Sequence, residues 1–177
     1  MAVEIERKFL VRSDVWRDRI QHSEVMAQGY LVGMQALVQG LAKSSVRVRL
    51  SGEQAWLNIK SATRGVSRAE YEYPVPAADA REMLDTLCDG VVEKVRHHVL
   101  HEGALFEVDE FTGRNQGLIV AEIELSSEDA AFPHPEWLGA EVSELERYYN
   151  VCLIDHPYAI WSAAERAAED AAGAAAC

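Results

Sequence analysis

Glu4-Ile5-Glu6-Arg7-Lys8, close to the start of the chain, decides how the rest is read. Side chains of a strand alternate between two faces, so Glu4, Glu6 and Lys8 share one face while Val3, Ile5 and Phe9 lie on or near the other. Successive charges on that face stand about 7 Å apart. An ordinary strand gives one face to the core and leaves the other casually polar. Two carboxylates and an ammonium in line are either one wall of an ion-binding site or a row of solvated ion pairs.

The same period of two recurs. Strands are expected at Val3–Val11, Met26–Val32, Ser45–Ser51, Gln54–Lys60, Ser67–Val75, Val91–Leu100, Ala104–Phe111 and Leu118–Ser126. Ser51-Gly52-Glu53 and His101-Glu102-Gly103 read as hairpin turns, and Gly113 and Gly117 bracket a further connection. Tight turns between so many strands predict antiparallel pairing. An even number of strands can close on itself and remove its edges. The expected fold is therefore mainly β with peripheral helices (α+β), built on an eight-stranded antiparallel closed barrel. Periodicity alone does not distinguish closure from an open sheet with one wet face. Helices are expected after Ser13, carrying Val15, Trp16 and Ile20, and over Ala77–Leu87, Pro135–Leu145 and Asp155–Ala172. Trp16, Trp137 and Trp161 on these segments are expected to pack against the outside of the barrel. Residues 1–160 are read as one domain, and 161–177 as a helix end and Ala-rich tail.

On the polar faces the cations are Lys8, Arg47, Arg49, Lys60, Arg68, Lys94 and Arg96, and the anions are Glu4, Glu6, Glu70, Glu72, Glu107, Asp109, Glu122 and Glu124. Asn58 and His98 share those faces. Cross-strand ion pairs on a solvated sheet explain any one such pair. Recurrence on seven strands is harder to explain that way, because exposed faces usually mix Thr, Ser and Gln among the charges. Clustered carboxylates suit a hard divalent cation, Mg²⁺ or Mn²⁺. Clustered Arg and Lys suit phosphate oxygens. A metal–polyphosphate complex satisfies both.

With 177 residues, 49% of them hydrophobic, the chain can bury a substantial core. It has no apolar run long enough to span a membrane and no apolar signal region near its start. Cys88, Cys152 and Cys177 show no metal or redox spacing, so a cytoplasmic location is expected. A net charge of −12 argues against nucleic-acid binding but not against a small polyanion in a locally basic site. His97, His98 and His101 lack convincing zinc spacing. A homodimer is compatible with the sequence, although no feature fixes one.

Taken in order, Glu4-Ile5-Glu6-Arg7-Lys8, Gln28-Gly29-Tyr30-Leu31, Arg47-Val48-Arg49, Leu57-Asn58-Ile59-Lys60, Glu70-Tyr71-Glu72, Glu93-Lys94-Val95-Arg96, Val108-Asp109, Glu122-Ile123-Glu124 and Arg147-Tyr148-Tyr149-Asn150 resemble the CYTH superfamily, the triphosphate tunnel metalloenzymes. The resemblance runs from about residue 3 to 160. It implies a barrel that binds a triphosphate with divalent metal. It also implies Glu4, Glu6, Asp109, Glu122 and Glu124 as metal ligands, with Glu70 and Glu72 in support. Lys8, Arg47, Arg49, Lys60, Lys94 and Arg96 would hold phosphates. The short bacterial members it resembles most imply hydrolysis of inorganic tripolyphosphate. They also imply a Tyr30–Lys94 pair in which the ammonium lowers the tyrosine pKa, giving an alkaline optimum. Tyr149 stands where close relatives often carry Lys. The alternatives are a class IV-type adenylyl cyclase, a hydrolase of thiamine triphosphate or a nucleotide, and a non-catalytic polyphosphate- or metal-binding module.

Overall fold

The computed structural model describes residues 5–61, 70–127 and 129–166. Glu4 and Arg68, both expected on the polar face, lie outside the described residues, as do residues 167–177 of the expected last helix and tail. Alternating apolar and polar residues form strands β1 (Ile5–Val11), β2 (Ile20–Val32), β3 (Ser44–Ser51), β4 (Gln54–Ser61), β5 (Glu70–Val75), β6 (Val91–His101), β7 (Ala104–Phe111) and β8 (Ile119–Leu125). These match the expected strands within a few residues, except that β2 starts earlier. Val15–Arg19 is a short 3₁₀ turn, and Ile20 opens the strand instead of continuing a helix. Helix α1 (Met34–Val38) follows β2, and α2 (Ala77–Thr86) forms where expected. The β6–β7 hairpin turns at Glu102-Gly103, both with positive φ (48° and 84°), the geometry that suits the strand twist.

Every ladder is antiparallel, and the order is β5-β4-β3-β2-β6-β7-β8-β1-β9. The ninth strand, β9 (Leu138–Glu141), replaces the helix expected over Pro135–Leu145. Gly139 permits it: a Cβ there would stand 2.8 Å from the Leu10 carbonyl oxygen, so a larger residue would push the strands apart. Because β9 occupies the free edge of β1, that edge cannot receive β5. The eight-stranded closed barrel expected from the sequence is thus corrected to a nine-stranded sheet, open between β5 and β9 among the described residues.

The open sheet still curls. Tyr30 on β2 and Lys8 on β1 are four strand steps apart, about 19 Å in a flat sheet. Lys8 nevertheless acts electrostatically on the Tyr30 hydroxyl, so the sheet bends over its polar face.

Three apolar clusters fix this shape. Trp16 and Trp137 cover the convex face over Phe9, Val99, Phe106, Val108, Ala121 and Ile123. Helix α2 covers the convex side of β3 and β4 through Ala80 and Leu84 on Val48 and Ala55. The third cluster lies on the polar-face parity: Val92, Phe111 and Val120 close one end of the concavity under Val142, Leu145, Tyr148, Leu153 and Trp161. Trp161 therefore packs inside the concavity, contrary to the exterior position expected. The helix expected over Asp155–Ala172 is broken into α3 (Cys152–Asp155), a 3₁₀ turn at Tyr158–Ile160 after Pro157, and α4 (Ala163–Arg166). Among the described residues no helix is long and apolar enough to cross a membrane.

Candidate functional site

The registers carry one polar face across all eight long strands. Lys8 faces Glu122 and Glu6 faces Glu124; Arg96 faces Asp109 and Glu24; Tyr30 faces Arg47 and Gln28 faces Arg49; Arg47 faces Asn58, which faces Glu72; Lys60 faces Glu70. Alternation places all of these on the same side. Each described residue expected at the site is therefore on the concave face, and that face has two halves.

On β1, β8, β7 and β6 the charges are paired. Lys94 ion-pairs with Asp109, both completely buried. Arg96 reaches Asp109 through two bonds of 2.7 Å, Glu122 at 2.6 Å, and Glu107 as well. Lys8 ion-pairs with Glu6 and Glu122. Burial alone would raise the Glu122 carboxyl, but Lys8, Lys94 and Arg96 overcome it and hold it down to about 2. Burial would likewise lower Lys8 and Arg96, yet the surrounding carboxylates raise both. For Lys94 burial prevails and its ammonium is depressed.

On β2, β3 and β4 the donors exceed their partners. Arg49 donates to Glu72 at 2.9 Å and Lys60 ion-pairs with Glu70 at 3.0 Å. Asn58, almost fully buried, donates to Glu72 and, at 3.3 Å, to Glu70. The Nε groups of Arg47 and Arg49 and the Nε2 of Gln28 are buried without a hydrogen-bond partner. Burial and the neighbouring Arg47 charge lower the Arg49 guanidinium despite Glu72. Beside its ion pairs this half keeps three buried N–H groups without acceptors, two of them on guanidinium cations, and one buried acceptor, Asn58 Oδ1, without a donor; phosphate oxygens would supply the missing acceptors.

Tyr30 belongs to this half. Burial raises its hydroxyl, and hydrogen bonding and charge from Arg47, with Lys8 further off, do not reverse the shift. The expected lowering by Lys94 is thus corrected: Lys94 is committed to Asp109, and the cations acting on Tyr30 are Arg47 and Lys8.

The carboxylates fit a divalent cation by charge and type. Partial desolvation and then the Glu122 charge raise the Glu6 carboxyl against the pull of Lys8 and Arg96, although its side chain stays 41% exposed, and a cation between the two would relieve the Glu6–Glu122 repulsion. Glu124 lies opposite Glu6 and is exposed. Asp109 is already saturated by Lys94 and Arg96. Among the described residues no three His, Cys, Asp or Glu side chains converge as a metal site. Towards the other end of the face His98 meets Glu24 at 2.9 Å, while His97, on the convex side, meets Ser23 at 2.7 Å. Glu24, His98 and Gln28 were not among the expected site residues. Gln28 shares the parity of Tyr30, the signal that could have found it.

A family model described as CYTH domain matches residues 2–156. An inorganic triphosphatase of Acetivibrio thermocellus is 41% identical over 159 residues, covering 89% of this chain and 97% of that protein. An inorganic triphosphatase of Nitrosomonas europaea is 39% identical over 154 residues, covering 85% and 95%. The crystal structure of an inorganic triphosphatase superimposes with a TM-score of 0.66 at 34% identity, covering 87% of this chain and 95% of its own.

Proposed function

This chain belongs to the CYTH domain family, and from that premise we propose that it is a metal-dependent triphosphatase whose substrate is inorganic tripolyphosphate. The observation that carries this reading is the row of buried, uncommitted N–H groups of Arg47 and Arg49 on a continuous polar face. The two relatives named inorganic triphosphatase, matched over nearly their full lengths, support it.

In the proposed reaction a water oxygen attacks the terminal phosphorus in line, and the bond from that phosphorus to the bridging oxygen breaks. Orthophosphate and pyrophosphate are released, and the water proton passes to solvent or to a neighbouring base. Such transfer needs positioning and charge stabilisation more than covalent help. Arg47, Arg49 and Lys60 hold phosphate oxygens from one wall, with Lys8 and Arg96 completing the cradle. Lys94, through Asp109, fixes the plane of Arg96. Glu70 and Glu72, tied by Asn58, orient Lys60 and Arg49. Glu6, Glu122 and Glu124, with Glu4, are the side chains that would hold Mg²⁺ or Mn²⁺, which would neutralise phosphate charge and acidify a bound water. Tyr30 donates to a phosphate oxygen at neutral pH and becomes a base only at strongly alkaline pH, since burial raises its hydroxyl.

The test is product analysis after incubation with tripolyphosphate, pyrophosphate, ATP or thiamine triphosphate, with Mg²⁺, Mn²⁺ or chelator. Orthophosphate from tripolyphosphate in the metal-containing samples is the expected result. Cyclic AMP from ATP would make the protein a cyclase, and tight tripolyphosphate binding without turnover would make it a binding module.

A further inference from the structure

The neutral Gln28 stands among the cations of the donor-rich half. The residue is 3% exposed, and its Nε2 is buried with no hydrogen-bond partner. A buried amide without partners costs stability, so its retention calls for a reason. By register Gln28 lies directly opposite Arg49 on β3 and one alternate position from Tyr30, which lies opposite Arg47. On its other side it faces Val92 of β6, where the concave face turns apolar. Gln28 thus sits where the donor-rich wall of β2 and β3 meets an apolar position of β6. Three adjacent groups, Gln28 Nε2, Arg47 Nε and Arg49 Nε, are all buried donors lacking acceptors.

We propose that Gln28 is a further substrate-contacting residue, its amide N–H donating to a phosphate oxygen that Arg49 also holds. This rests on the triphosphatase reading above. A neutral donor has a physical advantage at this point. Arg47 already bears on Arg49, and a third cation would add like-charge repulsion where the amide adds only a hydrogen bond. The amide also contacts phosphate independently of pH.

The test compares wild type, Gln28→Met, which is close in shape and apolar, and Gln28→Glu, which is close in size and anionic. Each is measured for tripolyphosphate affinity, for KM and kcat, and for thermal midpoint without ligand. Gln28→Met is expected to bind tripolyphosphate about tenfold or more weakly, as for loss of a bond to a charged group. Its ligand-free midpoint should be unchanged or higher, because an unpaired buried amide has gone. Gln28→Glu should bind more weakly still, and it decides the matter if Gln28→Met does not fold. Affinity equal to wild type in either folded variant overturns the proposal. So does a loss of affinity matched by an equal loss of ligand-free stability in both variants, which a structural role would explain. A wild type that neither binds nor hydrolyses tripolyphosphate overturns the triphosphatase reading together with this proposal, whereas an active wild type with unaffected variants overturns this proposal alone.

Discussion

The two halves of the concave face carry similar residue types and opposite bookkeeping. On β1, β8, β7 and β6, Lys8, Lys94 and Arg96 are each answered by carboxylates, and the network is closed on itself. On β2 and β3, Arg47, Arg49 and Gln28 keep buried N–H groups with nothing to receive them. The first half behaves like a structural element that also presents charge, and the second like a receptor for acceptor atoms. Counting charged residues does not separate them; pairing does.

The largest expected effect comes from breaking the receptor half. Replacing Arg47 and Arg49 together by Met removes two charge-assisted contacts, each worth about 1.5–3 kcal/mol. Tripolyphosphate hydrolysis should fall by about 10² to 10⁴ in kcat/KM while urea unfolding shows equal or greater stability. A fall in stability of the same size would mean that these arginines are structural.

Next comes the closed half. Asp109→Ala leaves Lys94 buried without its anion, and loss of one partner of a buried pair costs about 3–5 kcal/mol. Denaturant unfolding should record that loss, and a change below about 1 kcal/mol would place Lys94 in contact with solvent.

A third effect follows from acid. The Glu122 carboxyl is lower in the folded protein, about 2, than its ordinary 4.5. Its contribution is complete above pH 4.5 and is lost as pH falls from there towards 2. It amounts to about 3 kcal/mol at one pKa unit per 1.36 kcal/mol. Wild-type stability should drop through that window, and Glu122→Gln should flatten the drop.

The smallest effect is expected of Tyr30→Phe. At neutral pH it removes a hydrogen bond and should cost less than about tenfold in rate. Only above about pH 10, the ordinary tyrosine value, should wild type gain a phenolate-dependent rate that the variant lacks. Identical profiles would remove Tyr30 from the chemistry.

Much of this was legible beforehand because a period of two is robust. The polar parity read from Arg47-Val48-Arg49 or Glu122-Ile123-Glu124 is the parity of the concave face. Closure was not legible, because β9 is four residues long and carries Gly139, with no alternation to mark it as a strand. Nor was the apolar end. Val92, Phe111 and Val120 share the site's parity, but their covers lie on irregular turns from Val142 to Trp161. Gln28 stands in the sequence only as part of Gln28-Gly29-Tyr30-Leu31, because a neutral amide does not mark itself as a ligand contact the way a charge does. The lowering of the Tyr30 hydroxyl by Lys94 is not seen, because sequence shows which residues share a face, not which partner a flexible ammonium takes.

The central claim is that this concave face receives tripolyphosphate and cleaves it at one end. Phosphorus NMR of inorganic tripolyphosphate incubated with the wild-type protein and Mg²⁺ or Mn²⁺ tests it most directly. The account predicts loss of the tripolyphosphate signals, with orthophosphate and pyrophosphate appearing in equal amounts. Unchanged tripolyphosphate in the presence of folded protein and either metal would contradict it.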